Sequence, residues 1–115
     1  MSIIRNHTNQ RMSQSVIHGS TVYLAGQVAS DSSANITVQT EQVLAKIDNL
    51  LSEAGSDKSS ILSAQIWLTS IGHYAEMNQV WDAWVPEGDA PARACIEARL
   101  ASPDLLVEIG IIAAK

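Results

Sequence analysis

The sequence predicts an α+β fold in which two helices cover one face of a single mixed β-sheet. Three observations carry that prediction. Short alternating or β-branched segments occupy both ends of the chain, two stretches repeat apolar residues at helical spacing, and each of those stretches is followed by a further strand-like segment. The predicted order is β-β-β-α-β-α-β-β. Strand–helix–strand crossovers are right-handed, which puts both helices on the same side of the sheet.

At the N-terminal end, "SIIR" (2–5) is a short apolar edge strand. "QSVIHG" and "TVYLAGQV" are strands separated by Gly19-Ser20, a hairpin signal. "SDSSAN" is a polar loop. Val43, Leu44, Ile47, Leu50, Leu51 and Ala54 then mark a helix over residues 37–54, with Gly55 placed to end it in the left-handed conformation. In "ILSAQIWLT", Leu62, Ala64, Ile66 and Leu68 alternate as in a half-buried strand. Met77, Val80, Trp81 and Trp84 form the stripe of a second helix, which Pro86 closes. Residues 92–100 and 106–113 are two terminal strands joined by a turn at "ASPD". If they pair as a hairpin around Ser102-Pro103-Asp104, Glu108 and the Arg93 row line the same side.

Composition limits the function classes. A chain of 115 residues is one domain, and 46% hydrophobic residues suffice for a core. With three Trp, two Tyr and no Phe, that core is aliphatic. Twelve acidic against seven basic residues give a net charge of −5. That sign repels phosphate backbones, so no nucleic-acid partner is expected. A lone cysteine forms no internal disulfide and no metal-ligand set, which fits a reducing cytoplasm. The opening segment has no signal-peptide core, and no apolar run reaches membrane-spanning length, so no membrane association is expected.

Two helices cover only one sheet face. The other, read as Ile61, Ser63, Gln65 and Trp67 together with the Arg93 row, has the mixed character of a subunit interface with wet pockets, and oligomerisation is expected. In "PARACIEARL" (91–100), Ala94, Ile96, Ala98 and Leu100 alternate with Arg93, Cys95, Glu97 and Arg99. The apolar row suits the core, leaving the charged row for the interface. Arg93 is the side chain best shaped to grip a carboxylate through two parallel hydrogen bonds. Glu108, inside the apolar strand "VEIGIIAA", is either an arginine's partner or a proton-transfer group. Cys95 reads as a small buried hydrophobe rather than a nucleophile, with no His near it in sequence. Gly26, alone in "YLAGQ", marks close approach by a ligand or another backbone. His7, His18 and His73 are scattered, and no phosphate loop, zinc spacing or nucleophile elbow occurs.

Taken together, "VYLAGQ", "QT" followed by "VLAKIDNLLSEAG", Asn78 with Trp81, "PARACIEARL" and "VEIGIIAA" resemble the RidA/YjgF family of reactive-intermediate deaminases, whose members have also been labelled translation inhibitors or endoribonucleases. The resemblance spans nearly the whole chain, and its most specific part is "ARAC" with Glu108 fifteen positions after Arg93. It implies a chorismate-mutase-like fold, a homotrimeric barrel and a pocket at each subunit boundary. It also implies hydrolysis of 2-imino or enamine acids to 2-keto acids and ammonia, without metal or cofactor. Carried over by residue, Arg93 holds the substrate carboxylate, Glu108 lies near the hydrolytic water, the Cys95 carbonyl helps hold that water, and Gly26 offers backbone to the ligand. Asn78 matches a structural helix position. Met12 stands where the best-studied deaminases carry a pocket tyrosine, which bears on rate and substrate range. The competing readings are a keto-acid-binding regulator of a partner protein and, with less support from the charge, an RNA-cleaving enzyme.

Overall fold

The computed structural model describes residues 1–115. Its elements are β1 (Ile3–Thr8), β2 (Ser13–His18), β3 (Thr21–Leu24), β4 (Gln27–Val28), α1 (Ile36–Glu53), β5 (Ile61–Leu68), α2 (Tyr74–Trp84), β6 (Ala92–Glu97) and β7 (Val107–Ala114). The seven strands form one mixed sheet in the order β1-β2-β3-β7-β5-β6, with β4 pairing β7 beyond the end of β3. Both helices pack on one face. The molecule is only 20 Å thick against 43 and 37 Å in its other dimensions, the depth of one sheet and one helical layer.

α1 forms because its ends are capped and its apolar stripe is continuous. Asn35 accepts the Val38 N–H at 2.9 Å through its side chain. At the other end Gly55 has φ +80°, and the Gly55 and Ser56 N–H groups donate back to Ser52 and Leu51. Val43, Leu44, Ile47, Leu50 and Leu51 are buried against Val22, Ile66, Ile109, Ile111 and Ala113 of the sheet. In α2, Met77 and Trp81 enter the same core. The Trp84 indole N–H donates to Asp48 of α1 at 3.0 Å, tying the two helices together.

Several sequence expectations change. "TVYLAGQV" is two strands. Tyr23 pairs with Ile112 but Gln27 with Ile109, so three residues (24–26) oppose two (110–111) and the chain bulges at Gly26. A second irregularity between Ile61 and Ser63 sends Ile61 into the core and leaves Leu62 52% exposed, the reverse of the alternation read from sequence. The terminal strands form no hairpin. β5 lies between them, parallel to β6 and antiparallel to β7. The connection through α2 is a crossover, and it carries β6 to the outer side of β5. β6 also ends at Glu97, three residues short of the predicted strand.

One buried polar residue holds the return of the chain into β7. Gln39, fully buried in the first turn of α1, donates to the carbonyls of Ala34 and Asp104 at 3.0 Å each and accepts the Leu106 N–H at 2.9 Å. Gln39→Leu keeps most of the volume but strands those backbone groups, each costing about 1–3 kcal/mol when buried without a partner. The variant should lose about 2–4 kcal/mol in urea unfolding. A loss within about 0.5 kcal/mol would show that the 101–106 connection is held by other contacts.

Candidate active site

Residues directly opposite one another on paired strands share a face. Ala64 of β5 pairs with Arg93 and with Ile111, Ile66 with Cys95 and Ile109, and Leu68 with Glu97 and Val107. Arg93, Cys95 and Glu97 therefore lie on the helix-covered side, at the free edge of the sheet. Ala94 and Ile96 lie on the bare side, beside Gln65, Gly110, Trp67 and Glu108. This reverses the assignment made from sequence. The apolar row does not face the core, and Arg93 and Glu108 do not share a side within one chain. The cause is the parallel β5–β6 pairing, which no alternation pattern in β6 itself can reveal.

Arg93 meets α2. Its Nη1 donates to Asn78 Oδ1 at 2.8 Å and its Nη2 to the Tyr74 hydroxyl at 3.2 Å. The guanidinium also sits 5.3 Å from the Trp81 ring centroid and 5.8 Å from that of Tyr74. Tyr74, Asn78 and Trp81 are spaced four and three residues apart, one stripe of a helix. That spacing is the sequence signal for the cradle, of which the family motif marks only Asn78 and Trp81. No carboxylate neutralises Arg93: the one ion pair of the chain joins His7 and Glu53 at 2.6 Å. Two of the guanidinium's five donors are used, so three remain for a ligand.

Cys95 packs against the core through its side chain. Burial pushes its thiol pKa up from the ordinary value, with the Arg93 charge acting in the opposite sense. The thiol is therefore protonated at neutral pH and a poor nucleophile. Its backbone is more available. The Ala98 N–H donates to Leu68 O at 2.8 Å, and peptide groups alternate sides along a strand. Arg93, Cys95 and Glu97 thus direct their own N–H and C=O groups toward the free edge. The Glu97 side chain accepts the Ile71 N–H at 2.9 Å and anchors the turn before α2.

On the bare face, Glu108 is half-buried and forms no ion pair. It pairs across the sheet with Val28 on one side and Trp67 on the other. A Cβ built on Gly26 would collide with the Glu108 carboxylate, so the glycine at the bulge is what gives that carboxylate its room. The Trp67 ring lies over Gly110, where an added Cβ would sit 3.2 Å from Cη2. Trp67, Glu108, Arg99 and residues 98, 100 and 101 line a cleft of about 260 Å³. Strand alternation alone would put Arg99 in the Arg93 row. Because β6 ends at Glu97, it instead reaches the side of Glu108.

The model of the family described as endoribonuclease L-PSP matches residues 4–115. The chain belongs to this family, which includes the YjgF and RutC proteins. A RutC family protein of Haemophilus ducreyi is 46% identical over 97% of this chain and 96% of its own length. The RutC family protein YoaB of Escherichia coli K12 is 45% identical over 99% of both chains. The crystal structure of a YjgF family member from Neisseria meningitidis is 49% identical, covers 100% of this chain and 96% of its own, and superposes with a TM-score of 0.97. The YjgF resemblance and the two-helix mixed-sheet fold expected from sequence are thereby established. No group of three or more His, Cys, Asp or Glu side chains is arranged to hold a metal ion, and no helix is long and apolar enough to cross a membrane.

Alkylation of Cys95 checks the thiol assignment. Since the folded pKa is raised, the thiolate fraction at neutral pH is below that of free cysteine. Iodoacetamide should react more slowly than with a free thiol, and its rate should keep rising with pH beyond the point where a free thiol's rate levels off. Faster labelling than free cysteine at pH 7 would identify an activated thiol.

Proposed function

We propose that this protein hydrolyses reactive 2-imino and enamine acids to 2-keto acids and ammonia, in pockets shared between subunits of a homotrimer. The observation that carries the proposal is the placement of two uncompensated charges, Arg93 and Glu108, on opposite sides of one sheet. No small acid can touch both within a single chain, so a second copy brings them together. The bare face supports the same assembly. Tyr23, Leu62, Ile96 and Ile112 are 45, 52, 52 and 37% exposed there, an apolar surface suited to burial between subunits.

In this mechanism Arg93 of one subunit, already oriented by Asn78 and Tyr74, takes the substrate carboxylate with its remaining donors. Glu108 of a neighbouring subunit accepts a proton from a water held near the Cys95 carbonyl as that water adds to the imine carbon. The proton then passes to the departing nitrogen. One water is consumed: R–C(=NH)–COO⁻ and H₂O become R–C(=O)–COO⁻ and NH₃. For an enamine, the same carboxylate relays the proton that moves from nitrogen to the β-carbon. Such substrates hydrolyse unaided, so orientation and general acid–base help suffice, with no metal or cofactor. By the family resemblance Met12 stands in place of a pocket tyrosine, so this chain brings no phenol hydroxyl from that position. The family description also names an endoribonuclease, but the net charge of −5 works against RNA binding. A keto-acid sensor would use the same Arg93 clamp without turnover.

Light scattering should give about three times the 12.3 kDa chain mass. Charge-assisted hydrogen bonds contribute roughly 1.5–3 kcal/mol, so Arg93→Ala should lower kcat/KM by about 10- to 100-fold or more. The decisive experiment mixes Arg93→Ala with Glu108→Gln after dissociation and reassembly. Random assembly puts an intact Arg93 opposite an intact Glu108 in about a quarter of the pockets, so about that share of wild-type activity should return. Mixed assemblies as inactive as their parents would sink the shared pocket, and a wild type that binds keto acids without turning over imines would favour the sensor.

A further inference from the structure

We infer that Arg99 is a second anion-binding arginine of this pocket, selecting substrates that carry a carboxylate at the far end of the chain, that is, the imines of acidic amino acids. For its reaction the inference rests on the deaminase reading; for its binding it does not. Arg93 and Arg99 belong to one short motif, yet the structure sends them to opposite sides of the sheet. After Glu97 the strand ends and pairing stops with the Ala98 N–H to Leu68 bond, which frees the next residues from strand alternation. Arg99 then lines the same cleft as Glu108 and Trp67, and also an adjoining one with Thr69, Ser102 and Pro103. It forms no ion pair with Glu108 or with any other carboxylate of the chain.

The cleft joins three kinds of group around one small volume: a carboxylate at Glu108, a flat aromatic wall at Trp67, and an uncompensated guanidinium at Arg99. At about 260 Å³ it is smaller than a drug-sized pocket and suits a small acid. Gly26 opens the opposite side of Glu108. A substrate whose α-carboxylate is held by the neighbouring subunit's arginine clamp can therefore place its reacting carbon at Glu108 and run its side chain along Trp67 toward Arg99. A guanidinium at that end matches a planar carboxylate with two hydrogen bonds, whereas an alkyl terminus leaves it without a ligand contact.

The test compares matched five-carbon acids on the assembled protein. Calorimetry should show 2-oxoglutarate binding at least tenfold more tightly than 2-oxopentanoate. Arg99→Ala should collapse that preference, while Arg99→Lys should recover part of it. The ratio of kcat/KM for the imines of glutamate and norvaline should fall in parallel in Arg99→Ala. Equal affinities for the two keto acids in the wild type, or a preference unchanged by Arg99→Ala, would overturn the inference. A preserved binding preference with no turnover of any imine would overturn the deaminase reading and leave Arg99's role standing.

Discussion

The parallel pairing of β5 with β6 governs where the chemistry of this protein sits. A parallel neighbour requires a crossover, here supplied by α2, and the right-handed sense of that crossover carries β6 to the outer side of β5. β6 is thus an edge strand lying next to the helix that delivers it. Arg93 consequently finds Asn78, Tyr74 and Trp81 on α2, while the peptide groups of Arg93, Cys95 and Glu97 face an open edge. β7, on the other side of β5, carries Glu108 into a different environment. One choice of strand order therefore separates the cation from the carboxylate.

That separation has energetic meaning. Asn78 and Tyr74 are neutral partners, so they hold the guanidinium in place without cancelling its charge. Aromatic faces add cation–π attraction, roughly 0.5–2 kcal/mol, again leaving the charge available. Had β6 and β7 formed a hairpin, Arg93 and Glu108 could have neutralised each other, and neither would have been free for a ligand. The partial burial of both groups without an ionic partner is stability forgone, the pattern expected where a ligand supplies the missing counter-charge.

The surroundings of Glu108 show how small backbone features protect this arrangement. The bulge at residues 24–26 brings a glycine against the carboxylate, and Gly110 leaves room for the Trp67 ring close to the sheet. Gln39 plays the corresponding part on the covered side, pinning the 101–106 connection so that β7 enters the sheet in register. Because Arg99 lies in the short link between the end of β6 at Glu97 and this connection, the same constraint bounds its path.

Sequence periodicity by itself determined the elements whose surroundings are uniform along their length. α1 with its Gly55 stop, the Gly19-Ser20 hairpin, the Met77–Trp81 stripe and the outward-facing Glu108 are all local patterns, and each appears as read. The motif residues likewise sufficed to identify the family. Strand order was not legible, because alternation says that residues share a face but not which face it is. At β6, an edge strand beside a helix, the charged row turned inward to polar and aromatic groups of α2 and the apolar row outward to the bare sheet. The bulge at Gly26 and the early end of β6 shift the alternation of the residues C-terminal to them, the bulge at Leu62 reverses only Ile61 and Leu62 ahead of the Ala64–Leu68 row, and all three positions depend on neighbouring strands. Residue types thus fixed which chemical groups the protein possesses, while non-local strand pairing decided which of them meet.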